Sequence, residues 1–143
     1  LPNEVILKGD TRSFGGDMQN HIEQTMERIV TGTCSAHGAR GHFQYSREFA
    51  ATINTRQETE IAAEVARKIA GPEHVDAACA SIMTSEDFGF MLQHKPGCYI
   101  LIGNGGEGPG GCGLHNPSYD FNDDILSIGA EFWTALVEDQ LAV

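Results

Sequence analysis

The chain has 143 residues, 41% of them hydrophobic, which is enough for a core, but no apolar run approaches the roughly 20 residues that span a bilayer. A net charge of −11, with 9 scattered basic residues, argues against nucleic acid as a partner, because phosphate binding needs clustered Lys and Arg. No charged segment followed by a hydrophobic stretch marks a secretion signal, and the four cysteines, Cys34, Cys79, Cys98 and Cys112, form no C-x-x-C pair. Reduced thiols in a cytoplasm are therefore expected, with Cys79 and Cys98 as small core residues. The opening Leu1-Pro2-Asn3, without a methionine, reads as a cut.

Residues 5–14 carry β-branched residues in partial alternation and read as a strand, broken by Gly15-Gly16. Asp17 is a plausible N-cap for a helix to about Val30. Met18, Ile22, Met26 and Ile29 recur at spacings of three and four and give it an apolar face. Gly32 and residues 35–41 end that unit, and residues 41–49 alternate as a second strand. Residues 59–70 form a strongly amphipathic helix, with Ile61, Val65 and Ile69 in line and Gly71-Pro72 as its stop. Residues 77–83 are either a strand or a loop. Ser85 is placed to cap a helix over about 86–93. After the Pro96-Gly97 turn, residues 98–102 are the best candidate for a buried strand. Residues 103–113 then hold seven glycines and one proline, and Asn122 or Asp123 caps a final helix to about Leu141. The order strand, helix, strand, then helix, helix, strand, helix gives an α/β (α+β) chain. A boundary falls near residues 50–57.

Three constellations bear on chemistry. His115 stands between the glycine-rich loop and the last helix, and neutral imidazole is a common donor to divalent metals. Three or four converging ligands cannot be assembled around it from this chain, which has no H-E-x-x-H and no H-x-H. Ser85 and Glu86 open a helix where acidic groups suit the macrodipole, and the same turn can line a polar pocket. Arg12, at a strand end near glycines, offers a two-pronged donor to a carboxylate. Asn54 can bring an amide to the same ligand, although asparagine at a turn is the commoner case. His37 and His42 lack a third ligand, and His21, His74 and His94 read as surface residues. The glycine loop has no P-loop Lys-Ser/Thr and no dinucleotide spacing, so a mobile rim suits it better than a phosphate cradle.

Taken in order, Gly9-Asp10-Thr11-Arg12-Ser13-Phe14, Ala51-Thr52-Ile53-Asn54, Ser85-Glu86-Asp87-Phe88, Lys95-Pro96-Gly97-Cys98-Tyr99 and Leu114-His115-Asn116-Pro117-Ser118-Tyr119-Asp120-Phe121 form a recognisable series. It resembles the C-terminal part of the M20 metallopeptidase family, in the branch of hippurate hydrolases and N-acyl-amino-acid amidohydrolases. The resemblance implies that residues 1–52 are the second part of a lid and dimerisation domain, strand–helix–strand. Residues 53–143 would be the last segment of a di-metal α/β catalytic domain. It implies a metal-dependent amidohydrolase acting on N-acyl amino acids of the hippurate kind. Such an enzyme holds two divalent metal ions per subunit, zinc or manganese first and cobalt or nickel next, and forms a homodimer through the lid. His115 falls on the family's last metal ligand and Arg12 on the arginine expected to take the substrate carboxylate. Asn54, Ser85 and Glu86 fall near the substrate. The remaining ligands and the acidic general base belong to the family's N-terminal part and have no counterpart here. The chain is thus expected to be a C-terminal fragment, inactive alone. A non-catalytic dimerisation or binding module, and a dipeptidase of the same family, are the alternative readings.

Overall fold

The computed structural model describes residues 2–141, and its regular structure is helical. The chain divides into two compact units, Leu1–Ile53 with Ser81–Lys95, and Asn54–Ala80 with Pro96–Val143.

In the first unit α1 runs over Gly16–Ala36. It starts one residue before Asp17, with Gly15 in the cap position, and passes through Gly32. It ends where the amide of Ala39 donates to Cys34 O at 2.8 Å and Gly38 turns to φ 68°. That left-handed terminus is the conformation glycine supplies at helix ends. The expected apolar face is present but uncovered by the described residues: α1 buries none of its side chains, and Met18 and Ile29 are each 55% exposed. The Arg47 guanidinium pairs with Glu23 and ties residues 41–50 to α1. The Thr11 and Tyr45 hydroxyls share a hydrogen bond of 2.5 Å. The short helix α3, Phe88–Leu92, lies on the backbone of Ala50 and Ala51. A Cβ on Gly89 would sit 2.6 Å from Ala50 O, so this approach requires glycine.

In the second unit α2, Arg56–Ala70, and α4, Leu126–Gln140, pack together. Ala62, Val65 and Phe132 are buried between them, with Ile69, Cys98, Ile100 and Leu136 partly buried around them. Val65 and Ile69 therefore lie on the face that the helical spacing assigns to the core. α2 stops at Gly71, φ 87°. α4 is entered through one 3-10 turn at Asp123–Ile125, capped by Asn122, whose Oδ1 accepts from the Asp124 amide at 3.1 Å. Lys68 Nζ reaches Asp139 Oδ1 at 2.7 Å and joins the two helices on their solvent side.

The expected α/β (α+β) class is not found. No strand occurs among the described residues, so neither a strand–helix–strand lid nor an α/β catalytic segment is formed. The β signal survives in another form. Exposure alternates residue by residue over 11–15, 41–45 and 98–101, with Thr11, Ser13, Phe43, Tyr45, Cys98 and Ile100 turned inward. A ladder needs a second backbone to exchange N–H and C=O groups with. Among the described residues none of these three segments is assigned to a ladder, and pattern alone does not make a strand. Cys98 keeps its expected place beside the core, whereas Cys79 is exposed.

Candidate active site

Arg12, Ser85 and Glu86 lie in the first unit, and Asn54 and His115 in the second. Arg12 is on the outward phase of the alternating segment 11–15, with its side chain 40% exposed and Asp10 Oδ2 at 3.7 Å. That separation is a loose ion pair which leaves most of the guanidinium's donors unused. Ser85 and Glu86 precede α3. Glu86 Oε1 accepts from the Asp87 amide at 2.9 Å, and Glu86 raises the carboxyl of Asp87 above its ordinary range, by hydrogen bonding first and by charge second. Two neighbouring carboxylates resist ionising together.

Asn54 is committed to the backbone of Tyr99. Its Oδ1 accepts from Tyr99 N at 2.8 Å, and its Nδ2 donates to Tyr99 O at 2.9 Å and towards Cys98 Sγ at 3.4 Å. Beside it Thr55 bonds Gly97 through both backbone and hydroxyl. These two residues fasten the start of α2 to residues 97–99. A lone pair on Oδ1 is what the Asn54 amide has left to offer.

His115 is exposed, and at φ 69° it is the one non-glycine residue in the left-handed region among those described. The amide of Asn116 donates to Gly113 O at 3.1 Å, so Gly113–Asn116 is a turn with His115 in the third place. A turn of that kind normally has glycine there. A second turn follows at once: Tyr119 N donates to Asn116 O at 2.9 Å and Ser118 N to Asn116 Oδ1 at 2.8 Å. A bulky side chain at positive φ costs free energy, and such outliers concentrate at functional sites.

The glycine loop is also fixed, which the sequence does not announce. Asn104 Oδ1 accepts from Asn122 N at 2.9 Å. Its Nδ2 donates to Asp120 O at 2.7 Å and to Gly110 O at 3.2 Å. Residues 104–106 and 110–111 approach so closely that a Cβ on Gly110 would stand 2.5 Å from Asn104 O, and one on Gly111 2.7 Å from Gly106 C. Asn104, Gly105, Glu107, Gly110 and residues 120–122 line a shallow hollow of about 290 Å³. In the sequence Asn104 is one polar residue among glycines and signals only a turn.

A profile of peptidase family M20/M25/M40 matches residues 8–139. The chain belongs to this family. It is 26% identical over 136 residues to hippurate hydrolase of Campylobacter jejuni, which is 95% of this chain and 34% of that protein. It is 27% identical over 145 residues to IAA-amino acid hydrolase ILR1-like 2 of Arabidopsis thaliana, 99% of this chain and 32% of that one. It is 26% identical over 133 residues to thermostable carboxypeptidase 1 of Saccharolobus solfataricus, 91% and 33%. The chain thus spans about a third of the length of these curated relatives. No solved structure matches it. Members of the family are hydrolases, generally dependent on two metal ions. Among the described residues no three His, Cys, Asp or Glu side chains gather to hold a metal. The donor chemistry fits at one point: His115 presents an exposed imidazole on a loop pinned at both ends. No helix of the described residues is long and apolar enough to cross a membrane.

Proposed function

We propose that this chain is the C-terminal part of a metal-dependent amidohydrolase that cleaves the amide bond of N-acyl amino acids of the hippurate kind, and that it is inactive by itself. The observation carrying this reading is His115, held at φ 69° on a pinned loop in a chain of the M20/M25/M40 family. Strain at an exposed histidine is more economically explained by a ligand role than by packing. Bound divalent metal, zinc or manganese in this proposal, supplies a Lewis acid and lowers the pKa of a coordinated water. His115 holds one metal ion, whose other ligands and whose acidic general base come from outside these 143 residues. Arg12 takes the carboxylate of the amino acid, using the donors its 3.7 Å pairing with Asp10 leaves unused. Ser85 and Glu86 form the polar turn near the substrate, and Asn54 offers it the remaining lone pair of Oδ1 while its Nδ2 secures Tyr99. The enzyme is proposed to work as a homodimer through the part of the chain over residues 1–52, in the cytoplasm, where the four free thiols stay reduced.

The test is hydrolysis of N-benzoylglycine by the intact enzyme loaded with Zn²⁺ or Mn²⁺, beside a free dipeptide. Cleavage of the acyl amino acid is the expected result, and no cleavage of any N-acyl amino acid overturns the proposal. The likeness to a carboxypeptidase supports a second reading as a peptidase of the same family. Preference for the dipeptide would establish it. In the intact enzyme Arg12→Ala is expected to raise KM and to cost about 2–4 kcal/mol in kcat/KM. Unchanged kinetics would remove Arg12 from the carboxylate.

A further inference from the structure

We infer that Asn104 is the positioning residue for His115, an inference that rests on the ligand role proposed above. The chain between Asn104 and Asn122 is rich in glycine and would sample many conformations if unrestrained. One side chain restrains it. The Asn104 amide uses both donor hydrogens and its acceptor on three backbone groups, at Gly110, Asp120 and Asn122. The bond to Gly110 folds the glycine-rich part back on itself, and Gly110 and Gly111 lack the Cβ that would block that approach. The bonds to Asp120 and Asn122 close the far end. Asn122 in turn caps the entry to α4 through its own side chain. His115 therefore sits on a segment referenced, through two asparagines, to the helix that forms the core with α2. The turn that contains it and the turn that follows set the local direction of the backbone, and Asn104 sets where the whole segment stands. Groups that orient a metal ligand without touching the metal commonly change affinity by about 10- to 100-fold when removed.

The experiment uses the intact enzyme and three variants, Asn104→Ala, Asn104→Asp and Gly110→Ala, with His115→Ala beside them. The readouts are Zn²⁺ stoichiometry, Zn²⁺ affinity by competition with a chelator, amide hydrogen exchange over residues 105–122, and thermal unfolding. Asn104→Asp keeps the acceptor for the Asn122 amide and loses both donors. Asn104→Ala loses everything, and Gly110→Ala pries the loop from Asn104 without altering its side chain. The expected result is a graded loss of Zn²⁺ affinity at one site, about 10-fold or more for Asn104→Ala and less for Asn104→Asp. Faster exchange over 105–122 should accompany it, with exchange in α2 unchanged. A metal lost in His115→Ala but bound normally by Asn104→Ala and Gly110→Ala overturns this inference and leaves the ligand role standing. Two metals retained in His115→Ala overturn the ligand role and this inference with it. Loss of affinity together with general unfolding of α2 and α4 in all three loop variants also overturns it, since Asn104 would then be structural.

Discussion

His115 adopts a backbone conformation that disfavours any side chain relative to glycine by about 1–2 kcal/mol. Glycine and alanine separate this effect from the loss of the imidazole. His115→Gly is expected to be more stable than His115→Ala by about 1 kcal/mol in urea unfolding, and neither should retain the metal. Equal stability of the two variants would mean that residue 115 does not hold a positive φ. The sequence made His115 legible as a candidate because a lone histidine beside an acidic helix start is chemically distinctive. Its strain was not legible, since φ is set by hydrogen bonds at Gly113 and Asn116. Nor was the role of Asn104, whose partners are backbone atoms up to 18 residues away that carry no signature in the sequence. Asn54 reads as a ligand amide in the sequence, and the structure engages that amide with Tyr99.

At the scale of elements, Gly89 is the tightest joint of the first unit. A methyl group there would lie 2.6 Å from a backbone oxygen that has no side-chain freedom to yield. Gly89→Ala is expected to destabilise this unit by about 1–3 kcal/mol, as overpacking does, and to displace the Ser85–Glu86 turn just before α3. A denaturation midpoint equal to the parent's would contradict that packing. In the second unit the Lys68–Asp139 pair makes the docking of α4 on α2 depend on pH. The hydrogen bond from Lys68 lowers the Asp139 carboxyl from 3.8, and the same bond raises Lys68 from 10.5. The contribution of Asp139 is therefore present above pH 3.8 and lost as pH falls through its lowered value. That of Lys68 is present below pH 10.5 and lost as pH rises through its raised value. Hydrogen exchange at the C-terminal end of α4 should accelerate at both extremes, and in Lys68→Met both dependences should flatten. The helices α2 and α4 were legible because apolar residues at helical spacing are a local property. The three β-patterned segments differ from expectation because a strand is completed by its neighbour, and residues 5–14, 41–49 and 98–102 form no strand in the structure.

At the scale of the whole molecule, burial is thin. Val65 is the one large side chain fully enclosed among the described residues, while Leu126, Trp133 and Val137 form a stripe along α4 that is 68%, 62% and 53% exposed. These positions recur at spacings of seven and four, so α4 has a second apolar stripe beside the face that meets α2, roughly 100° round the helix. The chain produced alone is expected to self-associate, because exposed apolar area of this kind is removed from water wherever it can be. Trp133→Gln with Val137→Gln should reduce that association in sedimentation velocity without loss of helix content. Association unaffected by the pair would place the sticky surface elsewhere, with α1 the next to test. The clamp on the glycine loop has a bearing on how the molecule ages. Asn104 is followed by Gly105, the dipeptide in which the next amide nitrogen most readily attacks the side-chain carbonyl carbon, expels ammonia and closes a cyclic imide. Three hydrogen bonds fix the Asn104 amide in place and oppose the rotation that this attack requires. The same contacts that hold the loop shut act as its preservative. Once they open and the imide closes, water converts it to an acid or to a lengthened backbone, and the two bonds that Asn104 Nδ2 donates cannot form again.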